Sequence, residues 1–192
     1  MSEHSPGRLI VIAAPSGAGK TSLTRALIER LAARGIRGEF SVSYTTRAPR
    51  PGERDGVDYH FVSPERFADM VAQDAFLEHA EVFGRRYGTG REVTERLLAD
   101  GRLVFLDIDW QGARQVRTRK PDTLGIFIRP PSLAELERRL RARGQDDEAT
   151  IARRMRAAEE ELSHAGEFDH VLVNDDFERT LGLLEALVAP RA

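Results

Sequence analysis

Lys20 and Thr21 close a run of small residues, Ala14-Pro15-Ser16-Gly17-Ala18-Gly19, and are followed by Ser22. That order of residue types suits phosphate binding. Glycines at 17 and 19 let the backbone curl so that successive N–H groups point inward at phosphate oxygens. The Lys20 ammonium would reach the outer phosphates, and the Thr21 hydroxyl would help hold a magnesium ion. Lysine occurs only at Lys20 and Lys120 among 29 basic residues, so a lysine at this point of an arginine-rich chain reads as required. A compact ammonium fits where a planar guanidinium does not. The strict form of the pattern has glycine where this chain has Ala14.

A second group of chemical residues is Asp107 and Asp109, directly after the apolar run Leu103-Val104-Phe105-Leu106. Two apart on an extended strand, they would project to the same side, roughly 6–7 Å from each other. Open α/β sheets bind ligands at such strand ends. Unpaired buried carboxylates are costly, and magnesium, reached through water, is the natural partner for one of them. A third group is the arginines Arg138, Arg139, Arg141, Arg143, Arg153 and Arg154. Guanidinium forks stabilise a phosphoryl group in transfer. Glu135 to Arg139 and Glu137 to Arg141 also have ordinary helix ion-pair spacing, so each arginine taken singly reads equally as solvated surface. Arg143, beside Gly144 at a helix end where a segment can hinge, is the better candidate. Arg47, Arg50 and Tyr59 offer two guanidinium groups and a phenol to a second phosphate. Ser43 and Glu78 are polar groups among aromatic neighbours. A carboxylate suits a ligand edge with two adjacent N–H donors, such as guanine N1 and N2, though a satisfied polar surface explains these residues as well.

The elements that must position these groups follow from periodicity. Leu9-Ile10-Val11-Ile12-Ala13 reads as a buried parallel strand, and Leu23, Leu27 and Leu31 repeat on one helix face. The helix N-terminus adds its partial positive charge at the loop, and Gly35 ends the helix. Residues 39–62, rich in Ser, Thr, Tyr, Val and Phe and broken by Pro49-Arg50-Pro51-Gly52 and Asp55-Gly56, read as short antiparallel strands. Ser63-Pro64 starts a helix to about Gln73. Residues 76–82 and 84–88 are strand or turn, so 40–88 form a β-rich insert. A helix over 91–100 stops at Gly101. Further core strands lie at 103–106, 124–128 and 170–173. Ser132 with Glu135 is a capping box for a helix closed by Gly144, and helices follow over about 147–166 and 177–188. Strands alternating with helices predict an α/β fold with a parallel sheet and right-handed crossovers.

Bulk properties narrow the class. A chain of 192 residues suits one α/β domain with small inserted lobes. A net charge of −2 gives no overall reason to expect nucleic acid or an anionic membrane as partner. Without cysteine there is neither a disulfide framework nor a thiolate metal site. Residues 1–7 show no basic segment followed by an apolar one, so no secretory signal is expected. No apolar run approaches the roughly 20 residues that span a bilayer. A cytoplasmic protein is the expectation.

Several blocks together resemble the guanylate kinase family, bacterial type: Pro15 to Thr21; Ser41-Val42-Ser43-Tyr44-Thr45-Thr46-Arg47-Ala48-Pro49-Arg50-Pro51-Gly52-Glu53; Gly56-Val57-Asp58-Tyr59; Leu106-Asp107-Ile108-Asp109 with Gln111-Gly112; and Val173-Asn174-Asp175-Asp176. They fall in the family's order, and Ser41 to Tyr59 is far more specific than the phosphate loop. The resemblance implies a P-loop nucleoside-monophosphate kinase fold: a core (1–39, 89–131, 155–192), a GMP-binding insert (40–88) and a helical lid (132–154). It implies transfer of the γ-phosphoryl group of ATP to GMP, giving ADP and GDP with Mg2+, in purine nucleotide metabolism and GMP recycling, with dGMP as a further acceptor to test.

By the same resemblance, residues 14–22 and Asn174 bind ATP. Ser43, Glu78, Thr89 and Asp109 read guanine, while Arg47, Arg50, Tyr59 and Tyr87, with Gly88 beside them, hold the GMP phosphate. Thr21 and Asp107 lie at the metal, and Lys20, Arg50, Arg139, Arg143 and Arg154 are catalytic. Arg138 and Arg141 have no counterpart. Two other readings share the phosphate loop: a kinase acting on ribose 1,5-bisphosphate, and a non-catalytic guanylate-kinase-like binding module. The Ser41-to-Tyr59 block and Glu78 argue for a base-bearing acceptor. Lys20, Thr21, Asp107 and the lid arginines argue for catalysis. Oligomeric state is left open.

Overall fold

The computed structural model describes residues 7–82, 84–144 and 146–189, so the N-terminal stretch read for a signal lies, except Gly7, outside the described residues. The chain opens with β1 (Arg8–Ala13), α1 (Lys20–Ala33) and β2 (Gly38–Phe40). Next come β3 (Tyr44–Thr45), β4 (His60–Phe61), α2 (Pro64–Ala72), β5 (Phe76–Val82) and β6 (Arg85–Gly90). The remainder is α3 (Arg91–Ala99), β7 (Leu103–Asp107), α4 (Trp110–Arg119), β8 (Leu124–Arg129), α5 (Leu133–Ala142), α6 (Glu148–Ser163), β9 (His170–Val173) and α7 (Phe177–Val188).

The main sheet has the order β2-β7-β1-β8-β9, and every neighbouring pair is parallel. Its three inner strands, β7, β1 and β8, are buried apolar runs because both faces are covered. Ile10 and Ile12 of β1 point into one layer with Leu23, Leu27 and Leu31 of α1 and Leu181 and Leu184 of α7. Leu9, Val11 and Ala13 alternate to the other face, against Ala113 and Val116 of α4 and Phe168. The second sheet, β4-β3-β6-β5, packs Phe76 on Phe67 and Met70 of α2. A fourth small cluster joins α5 and α6 through Leu136, Leu140 and Ala158.

Four readings need correction. Residues 39 and 40 do not open the run of antiparallel strands: they belong to β2, an edge strand of the main sheet, with Phe40 opposite Phe105. Its shortness and the polar Glu39 hide it among the strands that follow. Within 39–62 the pair β3–β4 is parallel, not antiparallel; the antiparallel pairs of this sheet, β3–β6 and β5–β6, are made with the later strands. Helix α4 was not foreseen, because Gln111, Arg114, Gln115, Arg117 and Arg119 leave only Ala113 and Val116 as its apolar core positions. The helix expected to run on to 166 stops at Ser163, and a 3-10 turn, Ala165–Glu167, follows.

Phe105 is fully buried at the centre of the larger core layer. Phe105→Ala should lower the unfolding free energy by about 3–5 kcal/mol, read from the shift in urea midpoint; a loss below about 1 kcal/mol would contradict this packing.

Candidate functional site

The loop between β1 and α1 turns on its glycines. Gly17 and Gly19 have φ of +96° and +93°, which side chains resist. A Cβ on Gly19 would also stand 2.6 Å from Asn174 Nδ2. That amide is buried and donates to the Ala18 carbonyl at 2.8 Å, tying β9 to the loop. Ala14 is buried in the core, and Ser22 is exposed in the first turn of α1. Helices α2, α4, α5, α6 and α7 each have a side-chain oxygen accepting at the first turn, from Ser63, Asp109, Ser132, Asp147 and Asp176. The amino end of α1 has none. Its open N–H groups and dipole favour an anion there.

Lys20 forms an ion pair with Asp107, and Thr21 Oγ1 donates to Asp107 Oδ2 at 2.8 Å. Burial alone would push the ammonium toward its neutral form. The Asp107 carboxylate more than offsets this, and the Lys20 pKa lies above its ordinary value. Parallel pairing places Asp107 opposite Ile12, just before the loop. Asp109, expected to project from the same strand, lies beyond its end. Its carboxylate instead caps α4, accepting from Gly112 N at 2.8 Å. Both aspartates still line one cavity, with Lys20, Tyr59, Glu78 and Tyr87.

Within that cavity Glu78 is buried and takes a 2.6 Å hydrogen bond from Thr89 Oγ1 across the β5–β6 pair. Burial pushes its carboxyl up to about 7, against the Thr89 bond and with help from the Asp109 charge. Gly112 is constrained by the same group: a Cβ there would stand 2.7 Å from Glu78 Oε2. Gly88 is held bare by packing: a Cβ there would stand 2.8 Å from the Phe76 ring. Tyr59 and Tyr87 meet edge to face at 6.0 Å, and burial, with the nearby Asp107 charge, raises the Tyr59 pKa.

A second cavity, lined by Thr21, Ser43, Arg50, Glu53, Tyr59 and Asp107, opens beside the first. Ser43, Tyr59 and Asp107 face both. Arg47 does not stand open toward it: its guanidinium forks onto Glu53 at 2.7 and 2.9 Å. From the other side, Arg154 of α6 donates to Ser16 Oγ of the loop at 2.7 Å and is held by Asp146. Arg139 pairs with Glu135 and reaches the Asn174 carbonyl at 3.2 Å. Arg143 is exposed at the end of α5. Arg138 and Arg141 pair with Glu135, Glu137 and Glu148 on the exposed helix surface.

One charged group was missed. Glu161 lies on the face of α6 that carries Ile151, Arg154 and Ala158, and that three- and four-residue spacing was the available signal. Burial pushes its carboxyl up to about 7, while the Lys20 charge opposes the shift and Asp109 adds to it.

Comparison with known proteins bears on the family and the fold. The family model described as guanylate kinase matches residues 6–190. The chain is 58% identical to guanylate kinase from Alkalilimnicola ehrlichii, covering 95% of this chain and 88% of that one. It is 53% identical to guanylate kinase from Escherichia coli, covering 95% and 87%. The crystal structure of guanylate kinase from Anaplasma phagocytophilum superposes with a TM-score of 0.77 at 36% identity, covering 95% of this chain and 85% of that one.

Glu78 and Glu161 both bind a proton more tightly in the folded chain than the ordinary carboxyl at 4.5. Folding stability should therefore fall as pH rises from about 4.5 to about 7, since the native state holds protons that the unfolded chain releases. A carbon-13 carboxyl titration should find the Glu78 midpoint near 7, and Thr89→Val should move it higher by removing the donor that favours the charged form. A midpoint at the unperturbed value would contradict the burial.

Proposed function

We propose the following division of labour for this chain, which belongs to the guanylate kinase family and is an ATP:GMP phosphotransferase. The γ-phosphoryl group of ATP passes to GMP, giving ADP and GDP. Residues 14–22 receive the ATP phosphates through backbone N–H groups and Lys20, and Asn174 holds the loop's shape beside the adenine. Ser43, Glu78, Thr89 and Asp109 read guanine. Arg47, Arg50, Tyr59 and Tyr87 hold the GMP phosphate, with Gly88 beside them. One observation carries this reading: Asp107, the partner of Lys20 of the phosphate loop, lines both the cavity that holds Glu78 and the cavity that holds Arg50, so the loop's ammonium and the acceptor site meet at one carboxylate.

Thr21 and Asp107 suit a magnesium ion brought with ATP. Their oxygens, 2.8 Å apart, are hard donors. Among the described residues no group of three or more His, Cys, Asp or Glu could hold a metal alone. That donor set fits a cation that keeps water and takes further ligands from phosphates. When bound, magnesium would neutralise phosphate charge and fix the phosphates' orientation.

The protein's own part needs no covalent intermediate, because aligning two phosphates and neutralising charge is sufficient. Lys20 would exchange Asp107 for phosphate oxygens as ATP enters. Arg139, Arg143 and Arg154 would surround the transferring group from the lid (132–154), and Arg50 would face it from the insert (40–88). Closure of both over the core (1–39, 89–131, 155–192) would exclude water, which otherwise accepts the phosphoryl group. The described residues contain no helix long and apolar enough to cross a membrane; action in the cytoplasm, in GMP recycling, completes the reading.

ADP release from Mg-ATP should occur with GMP and not with AMP, dTMP, UMP or ribose 1,5-bisphosphate. Turnover with the sugar bisphosphate alone would discard the guanine site. GMP binding without turnover would point to a binding module. Lys20→Ala should lower kcat by roughly 10³-fold while the fold survives. Glu78→Gln should raise KM for GMP on the order of 10-fold or more with little change for ATP.

A further inference from the structure

The turn that carries Arg50 is closed twice by Glu53. The Glu53 N–H donates to the Arg50 carbonyl at 3.0 Å, and the Arg50 N–H donates to Glu53 Oε2 at 2.7 Å. Pro51 and Gly52 occupy the centre, and Gly52 has φ +88°, as a type II turn requires at its third residue. The same carboxylate receives the two-point fork of Arg47, Nη2 to Oε1 at 2.7 Å and Nη1 to Oε2 at 2.9 Å. Arg47 Nη1 also donates to the Ala48 carbonyl at 2.8 Å, and the guanidinium lies over the rings of Tyr59 and Phe61 at 5.3 and 5.8 Å. One carboxylate therefore ties down a whole arginine side chain and the backbone from which a second arginine departs.

Two guanidinium groups carried on one short turn repel each other until an anion arrives, and a free arginine loses much rotamer freedom when it is fixed. A fixed carboxylate between them reduces both costs in advance. The Arg47 fork in turn holds the Glu53 carboxyl below its usual range, so it is charged at neutral pH. Glu53 also borders the cavity that Arg50 and Tyr59 line. We propose that Glu53 is a positioning residue: it sets the spacing of Arg47 and Arg50 that grips the phosphate of the acceptor nucleotide, without touching the reacting atoms. The inference rests on reading this cavity as the acceptor-phosphate site.

The test compares GMP with guanosine, which has the base but no phosphate. In Glu53→Gln, KM for GMP should rise on the order of 10- to 100-fold, since a charge-assisted fork is lost. The competitive inhibition constant of guanosine and KM for ATP should move by less than about twofold. Glu53→Asp, which keeps the charge on a shorter arm, should recover part of the loss, and it carries the same comparison if Glu53→Gln folds poorly. An equal rise for guanosine would overturn the proposal, because it would mean general damage to the insert. An unchanged KM for GMP would overturn it by removing any role, and a lowered one by showing that Glu53 competes with the phosphate. The unaltered enzyme tests the underlying reading separately: if it binds guanosine as tightly as GMP, the phosphate site itself is wrong, whatever Glu53 does.

Discussion

The ion pair between Lys20 and Asp107 sets the terms for the rest of the molecule. A largely desolvated ammonium needs a partner, and its partner must arrive from another part of the chain. The parallel sheet supplies it. β1 and β7 lie side by side with Ile12 opposite Asp107, so both strands end at the same edge, where the glycine-rich loop begins. Helices on both faces let the inner strands β7, β1 and β8 be apolar along their length, and polar groups are confined to their ends. The open amino end of α1 faces this edge, and a nucleotide phosphate that enters there meets a cation already charged and already placed.

The arginines around this centre follow one pattern. Arg47 is held by Glu53, Arg139 by Glu135 and Arg154 by Asp146. Each pairing fixes a long side chain in advance, so on the proposed reading less conformational entropy would be lost on phosphate binding. Arg138 and Arg141 are paired as well, but on exposed helix surface, where an ion pair contributes little and faces neither the loop nor a cavity. What separates the two sets is the second contact. Arg154 also reaches Ser16, and Arg139 also reaches the Asn174 carbonyl, both at the phosphate loop.

That distinction marks the limit of what the sequence reveals. The loop, the sheet edge at Asp107 and most helices are legible because they are local: glycine spacing, apolar runs and caps each lie within a few residues. Family resemblance assigns Glu78 to a base, yet only the fold explains its environment, with Thr89 opposite it on β6 and Gly112 beneath it on α4. β2 was missed because three residues with one charged member carry no strand signal apart from the partner they pair with. Asp109 was placed on the strand because spacing alone cannot tell a strand's last residue from the first cap of the next helix. Glu161 was missed because two of the charges that act on it, Lys20 on α1 and Asp109 at the start of α4, lie far away in sequence.

The same burial that isolates Glu78 shapes what its cavity can discriminate. Guanine offers an N–H at N1, whereas adenine offers a lone pair there. A charged Glu78 accepts from the first and repels the second, which is discrimination by a mismatched acceptor as well as by a matched donor. The carboxyl sits near 7 in the free protein, so close to neutrality a share of molecules holds a proton there and presents a donor instead. On the proposed reading, guanine must displace that proton, and Thr89 assists by donating to the charged form. Base selectivity is then strongest on the alkaline side of 7 and weakens as the proton returns, so burial that removes competing water also makes recognition depend on the charge it disfavours.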